Sequence, residues 1–102
     1  MNQFGEHIKQ IRERKGLLQK QIADHLEIDA PMLSKIERGE RIAKKEHVKY
    51  ACEILNISEE VLLPLWLADR VLNIIKDEKF ALKTIKIVEK QIKTIEKNRT
   101  RE

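Results

Sequence analysis

A chain of 102 residues with 41% hydrophobic and 37% charged side chains, three glycines and two prolines is made of helix formers and has room for one small core. Its longest uncharged apolar run, VLLPLWLA, is far below the ~20 residues a membrane-spanning helix needs, and the start MNQFGEHIKQ has no apolar signal stretch, so a soluble cytoplasmic protein is expected. The formal charge of +4 is uneven: residues 1–75 hold twelve basic and twelve acidic side chains, residues 76–102 nine and five, so net charge alone does not make the amino-terminal part a binder of polyanions.

Phe4, Ile8 and Ile11 recur at spacings of four and three, which predicts a first amphipathic helix over Phe4–Lys15 that stops at Gly16, with Arg12 beside the apolar stripe. Ile22, Ala23 and Leu26 share one face of a short second helix, Gln19–Leu26. Its start is poorly capped, because Leu18 stands where a hydroxyl or amide side chain would accept a free N–H. Asp29 is a good cap for a third helix, Ala30–Arg38, with Pro31 tolerated in the first turn and Gly39 at the stop. Leu33 and Ile36 point inward, which leaves Met32, Ser34, Lys35 and Arg38 outside the buried pair and Ala30 and Pro31 at the leading end.

A fourth helix from about Lys44 to Leu55 buries Val48, Ala51, Cys52 and Leu55. Ser58 caps a fifth that opens EEVLL, and Pro64 is expected to interrupt or kink it. The following LWLADRVLNII, which contains Trp66, is apolar on more than one face and is expected to lie between the small domain and a further surface. A last long helix begins at Glu78, capped by Asp77. Along it Ala81, Ile85, Val88, Ile92 and Ile95 alternate spacings of four and three, the seam of a coiled coil or helical hairpin. The predicted fold is all-α: a five-helix domain over residues 1–63 and a helical extension over 64–102.

Catalytic chemistry finds no foothold in these residues. There is no glycine-rich phosphate loop, no zinc spacing and no nucleophile–base motif, so neither an enzyme nor a cofactor is expected. His7, His25 and His47 fall on three different helices without metal-ligand spacing, and the single Cys52 belongs to a buried, inert position. Lys35, Arg38, Arg41, Lys44, Lys45 and Lys49 outnumber Glu37, Glu40 and Glu46 across residues 35–49. Such a cluster suits a surface that faces phosphates; the plain alternative is a solvated helix edge.

One ordered set of residues is more specific. Gln19, Ile22-Ala23, Leu26, Ile28, Leu33-Ser34, Ile36-Glu37 and Gly39, followed by Cys52, Leu55 and Ile57, resembles the helix-turn-helix family of phage repressors and Cro-type regulators over about residues 4–63. A polar-faced helix pinned by a short preceding one fits a major groove about 12 Å wide. The resemblance implies base contacts from the third helix: Lys35 and Ser34 on base edges, Met32 on a thymine methyl, and Ala30 and Pro31 at the leading end. It implies phosphate contacts from Gln19 at the start of the second helix, with Lys20 assisting, and from Arg38, Arg41, Lys44 and Lys45 where the third helix leaves the groove. Arg12 and Glu37 match an internal ion pair joining the first and third helices. Ala30 and Pro31 replace the glutamine or serine often found there, Ala43 replaces a proline, and Glu27 replaces a turn glycine and must accept positive φ or shift the turn.

The function so implied is a sequence-specific regulator of transcription bound to double-stranded DNA, a homodimer on a two-part operator, of phage-repressor or restriction–modification-controller type. Dimerisation is expected through Trp66 and the seam Ala81, Ile85, Val88, Ile92 and Ile95. A competing reading makes the chain an antitoxin-like module whose carboxy-terminal helix binds a protein partner.

Overall fold

The computed structural model describes residues 2–100. Six helices follow one another: α1 (Gln3–Arg14), α2 (Gln19–Leu26), α3 (Ala30–Arg38), α4 (Lys45–Leu55), α5 (Glu59–Ile75) and α6 (Ala81–Thr100). Among the described residues no helix is long and apolar enough to cross a membrane. The chain forms two compact units, Met1–Val71 and Leu72–Glu102.

The first unit holds the core. Ile8, Ile22, Leu33, Val48, Leu55 and Leu62, drawn from all of the first five helices, are its largest fully buried side chains. At roughly 1.5–3 kcal/mol for each large apolar side chain removed from water, burial at these positions is what holds short helices that would be marginal alone.

The first four helices stop in the same way. Gly16, Glu27, Gly39 and Asn56 each adopt positive φ, of 70°, 59°, 80° and 53°. The next N–H then turns back to a carbonyl five residues earlier: Leu17 to Arg12, Ile28 to Ala23, Glu40 to Lys35 and Ile57 to Cys52, at 2.8–3.0 Å. This satisfies carbonyls that a helix end would leave bare, and Leu17, Ile28 and Ile57 then pack against the core. Glu27 accepts the left-handed conformation that its lack of a glycine requires, so the turn between α2 and α3 is kept at a backbone cost of about 1–2 kcal/mol.

The first unit runs past the boundary expected at residue 63. Trp66 is 5% exposed and its indole N–H donates to the Ala43 carbonyl at 2.7 Å, so this residue belongs to the core of its own unit, whereas the sequence suggests a residue free to meet a second copy. Asp69 lies in the same stretch and caps α1 from a distance, its two carboxylate oxygens accepting the N–H groups of Gln3 and Phe4 at 3.0 and 2.9 Å. Helix α5 continues through Pro64 without interruption. The missing N–H leaves the Glu60 carbonyl without its helical donor on an exposed first turn, where water can serve.

In the second unit α6 begins at Ala81, three residues later than expected. The chain turns at Asp77–Phe80, with Glu78 N–H bonded to Ile75 O at 2.9 Å and Ala81 N–H to Glu78 O at 3.3 Å, so Asp77 does not sit at the helix start. Ile85, Val88, Ile92 and Ile95 are all exposed, between 37% and 52%. Among the described residues the second unit has no core of its own around its seam.

Candidate nucleic-acid interface

The interface is built on a buried carboxylate. Glu37 follows Ile36 on α3 and its side chain is only 2% exposed, a position that an unpartnered anion would not tolerate. It accepts three hydrogen bonds: Arg12 Nε at 2.8 Å, Arg12 Nη2 at 3.0 Å and Gln19 Nε2 at 2.9 Å. Arg12 Nη1 goes on to donate to the Leu17 carbonyl at 3.1 Å. One carboxylate therefore ties α1, the loop after it, the start of α2 and α3 into one frame. The hydrogen bonds to Glu37 raise the Arg12 pKa against the lowering effect of burial, so the guanidinium stays charged.

A second tie fixes the exit of α3. Asn2 accepts the Gly5 N–H through Oδ1 at 3.2 Å and, through Nδ2, donates to the carbonyls of Ile36 and Glu37 at 3.2 and 2.9 Å. The last turn of α3 is thereby docked on the first turn of α1. The two backbones approach closely there: a Cβ on Gly5 would stand 2.2 Å from the Ile36 carbonyl oxygen, so a side chain is excluded.

On this frame α3 presents its outer face. Asp29 caps it, Oδ1 accepting the Met32 N–H at 2.8 Å. Pro31 and Lys35 are exposed, and Ala30 and Ser34 half-buried. The Arg38 guanidinium donates to Ser34 Oγ and pairs with Glu40, both of them side-chain contacts on the exposed face. Met32 is half-buried and packed against the core, where it lines an open groove of about 330 Å³ together with Leu26, Ile28, Ile36 and Tyr50. Only part of it remains on the outer face. Arg41 and Lys44, both exposed, also line that groove, and Lys20 and Lys45 are exposed.

Gln19 stands at the first position of α2, half-buried, with one amide N–H given to Glu37. The start of α2 has no side-chain cap. Leu18, with no acceptor in its side chain, has its own N–H taken by Gln21 Oε1 at 2.7 Å, half of a capping box. The sequence carried no sign of the Gln19–Glu37, Asn2–α3 or Asp69–α1 contacts, because each joins residues distant along the chain through side chains that read as ordinary surface polars.

The remaining titratable groups serve the scaffold. His47 Nδ1 accepts the Lys44 N–H at 3.1 Å at the start of α4, and burial lowers its pKa. His25 stands edge-on to Tyr50 and 3.5 Å from Glu53. Cys52 is buried, and burial, with Glu59 and Glu53 adding to it, raises its pKa, the opposite of what a reactive thiolate needs.

A short helix locked across a polar-faced second one, with the outer face of the second left clear, is the architecture of a helix-turn-helix DNA-binding domain. The comparisons with known proteins agree. A family model described as a helix-turn-helix domain matches residues 3–65. An uncharacterised HTH-type transcriptional regulator, YazB of Bacillus subtilis, is 36% identical over 61 residues, covering 60% of this chain and 88% of that protein. Among solved structures, the clp gene regulator ClgR of Corynebacterium glutamicum superposes with a TM-score of 0.58 at 21% identity, over 76% of this chain and 82% of that one. A point mutant of the restriction–modification controller protein C.Esp1396I gives 0.55 at 24% identity, over 69% and 89%. The chain belongs to the helix-turn-helix domain family, among HTH-type transcriptional regulators.

Proposed function

We propose that the protein is a sequence-specific regulator that reads double-stranded DNA in the cytoplasm, as a homodimer on a two-part operator, in the manner of a phage-type repressor or a restriction–modification controller. The observation that carries this reading is the exposed face of α3, with Ser34 and Lys35 held on a frame that Glu37 and Asn2 make rigid. Lys35 and Ser34 serve as hydrogen-bonding readers of base edges, the outer part of Met32 meets a thymine methyl, and Ala30 and Pro31 give the leading end an apolar contact. Gln19, Lys20, Arg38, Arg41, Lys44 and Lys45 hold phosphates around that helix and set its register.

Dimerisation is assigned to the seam Ala81, Ile85, Val88, Ile92 and Ile95, whose four large side chains are exposed in a single copy and call for a partner surface. Two α3 helices related by a twofold axis address half-sites roughly 34 Å apart. The same exposed seam supports the second reading, in which a different protein lies along α6 as a toxin does on its antitoxin. Selection of bound sites from random duplexes, with sedimentation of the free protein, tests both. The dimeric regulator yields an inverted repeat with half-sites one turn apart and a concentration-dependent dimer. A monomer that selects no site contradicts it.

A further inference from the structure

The lysines of α6 fall on one line. With Ala81, Val88 and Ile95 as the d positions of a heptad and Ile85 and Ile92 as the a positions, Lys83, Lys90 and Lys97 fill every f position and Lys86 and Lys93 every b position from 83 to 97. All five are exposed, on the side of the helix turned away from the seam. The two acids of this stretch, Glu89 and Glu96, both fall at e beside the seam, where Glu89 reaches Lys93 at 3.8 Å.

A solvated outer face normally mixes both signs, since like charges three and four residues apart repel and loosen a helix. Here lysines follow one another about every 5 Å of helix axis. That is less than the screening length of about 8 Å at physiological salt, so their potentials add. The charge balance of the chain points the same way: residues 1–75 are neutral in sum and the whole excess of +4 lies in residues 76–102. A duplex reader needs a sequence-independent attraction to phosphates to find and hold its site, and the net positive charge that adds to the local contacts of the first unit lies in residues 76–102.

We propose that the lysine face of α6 is a second, sequence-independent surface for duplex DNA, which contacts phosphates while α3 reads bases and adds to the salt-dependent affinity supplied around α3. The inference rests on the DNA-reading function above and adds a site to it. An anionic bilayer is the other polyanion a basic helix can meet. There the apolar face would enter the membrane with its flanks at the headgroups, and Glu89 and Glu96 occupy that flank, which favours the duplex.

The test uses the full chain with Lys83, Lys86, Lys90 and Lys93 all changed to Gln, which keeps helix propensity and leaves the seam intact. Its companion carries Arg at the same four positions. Binding to a random-sequence duplex and to a selected site is titrated at several salt concentrations, with flotation on phosphatidylserine-containing vesicles in parallel. The Gln variant is expected to lose random-duplex affinity at least about tenfold at low salt and to flatten the salt slope by about three units per copy, with base preference unchanged. The Arg variant is expected to keep the wild-type slope. An unchanged slope in the Gln variant overturns the proposal and leaves the regulator reading intact, as does vesicle binding that depends on these lysines while duplex binding does not. Failure of the wild-type chain to bind any duplex overturns both, and a Gln variant with altered base preference but unaltered slope assigns the lysines to scaffolding and also overturns it.

Discussion

The first unit and the second solve opposite problems. Residues up to Val71 bury fifteen hydrophobic side chains in one cluster, neutralise their own charges and satisfy the buried Glu37 three times over. In the second unit α6 buries none of its large apolar side chains and carries an excess of lysine. On the function proposed above, one short chain separates reading from holding. The first unit turns the Glu37 carboxylate inward and ties its helices to it, which holds α3 in place with Lys35 on its exposed face. The tail is left with apolar and cationic faces that acquire meaning only against another molecule.

The sharpest way to break that contrast is to remove the inward carboxylate. Glu37→Ala leaves Arg12 buried without its anion and Gln19 without its acceptor, and about 3–5 kcal/mol of stability is expected to be lost, read as a fall in the urea midpoint of the first unit. A loss below about 1 kcal/mol would show that the frame is held mainly by apolar packing. Gly5→Ala comes next: its Cβ meets the Ile36 carbonyl, so α1 and α3 must separate at a cost of about 1–3 kcal/mol. A neutral result in the same titration would mean that the two helices part there without strain.

Glu27→Gly runs in the opposite direction. Relief of the left-handed conformation at φ 59° is expected to stabilise the first unit by about 1 kcal/mol, which for a domain of this size raises Tm by about 4–8 °C. A lowered Tm would mean that the Glu27 side chain contributes more than its backbone costs. The smallest effect on the first unit is expected from the tail. Ile85→Gln with Ile92→Gln disrupts the seam, so association in sedimentation is lost while the stability of the first unit, read from its urea midpoint, changes by less than about 0.5 kcal/mol. A large drop in that midpoint would show that the seam covers its own first unit instead of a second copy.

Much of the fold is legible in the sequence for identifiable reasons. The spacing of Phe4, Ile8 and Ile11, the Asp29 cap and the Gly39 stop act within one helix turn, where local physics decides. The strong signal of the α2–α3 pair comes from the same source, and Glu27 announced its positive φ by standing where a glycine is common in relatives. Trp66 misled because a strongly apolar stretch does not say which of its faces meets the core; the indole N–H had a buried acceptor in Ala43 that no periodicity reveals. Gly5, Asn2 and Asp69 stayed invisible for a related reason, since their work is done on residues of other helices. At the interface the exposed lysines and arginines could be found by elimination from the core stripe. The partial burial of Met32 could not, because it depends on the groove formed with α4.

Base reading by α3 through Lys35, with neighbouring side chains on phosphates, is tested most directly by titrating wild type, Lys35→Ala and Arg41→Ala on a selected site and on random duplex at several salt concentrations. Lys35→Ala is expected to lose about 1–3 kcal/mol on the selected site alone and to relax preference at one or two base pairs, whereas Arg41→Ala weakens both duplexes alike and flattens the salt slope by about one unit. Equal losses on both duplexes for Lys35→Ala would contradict the account.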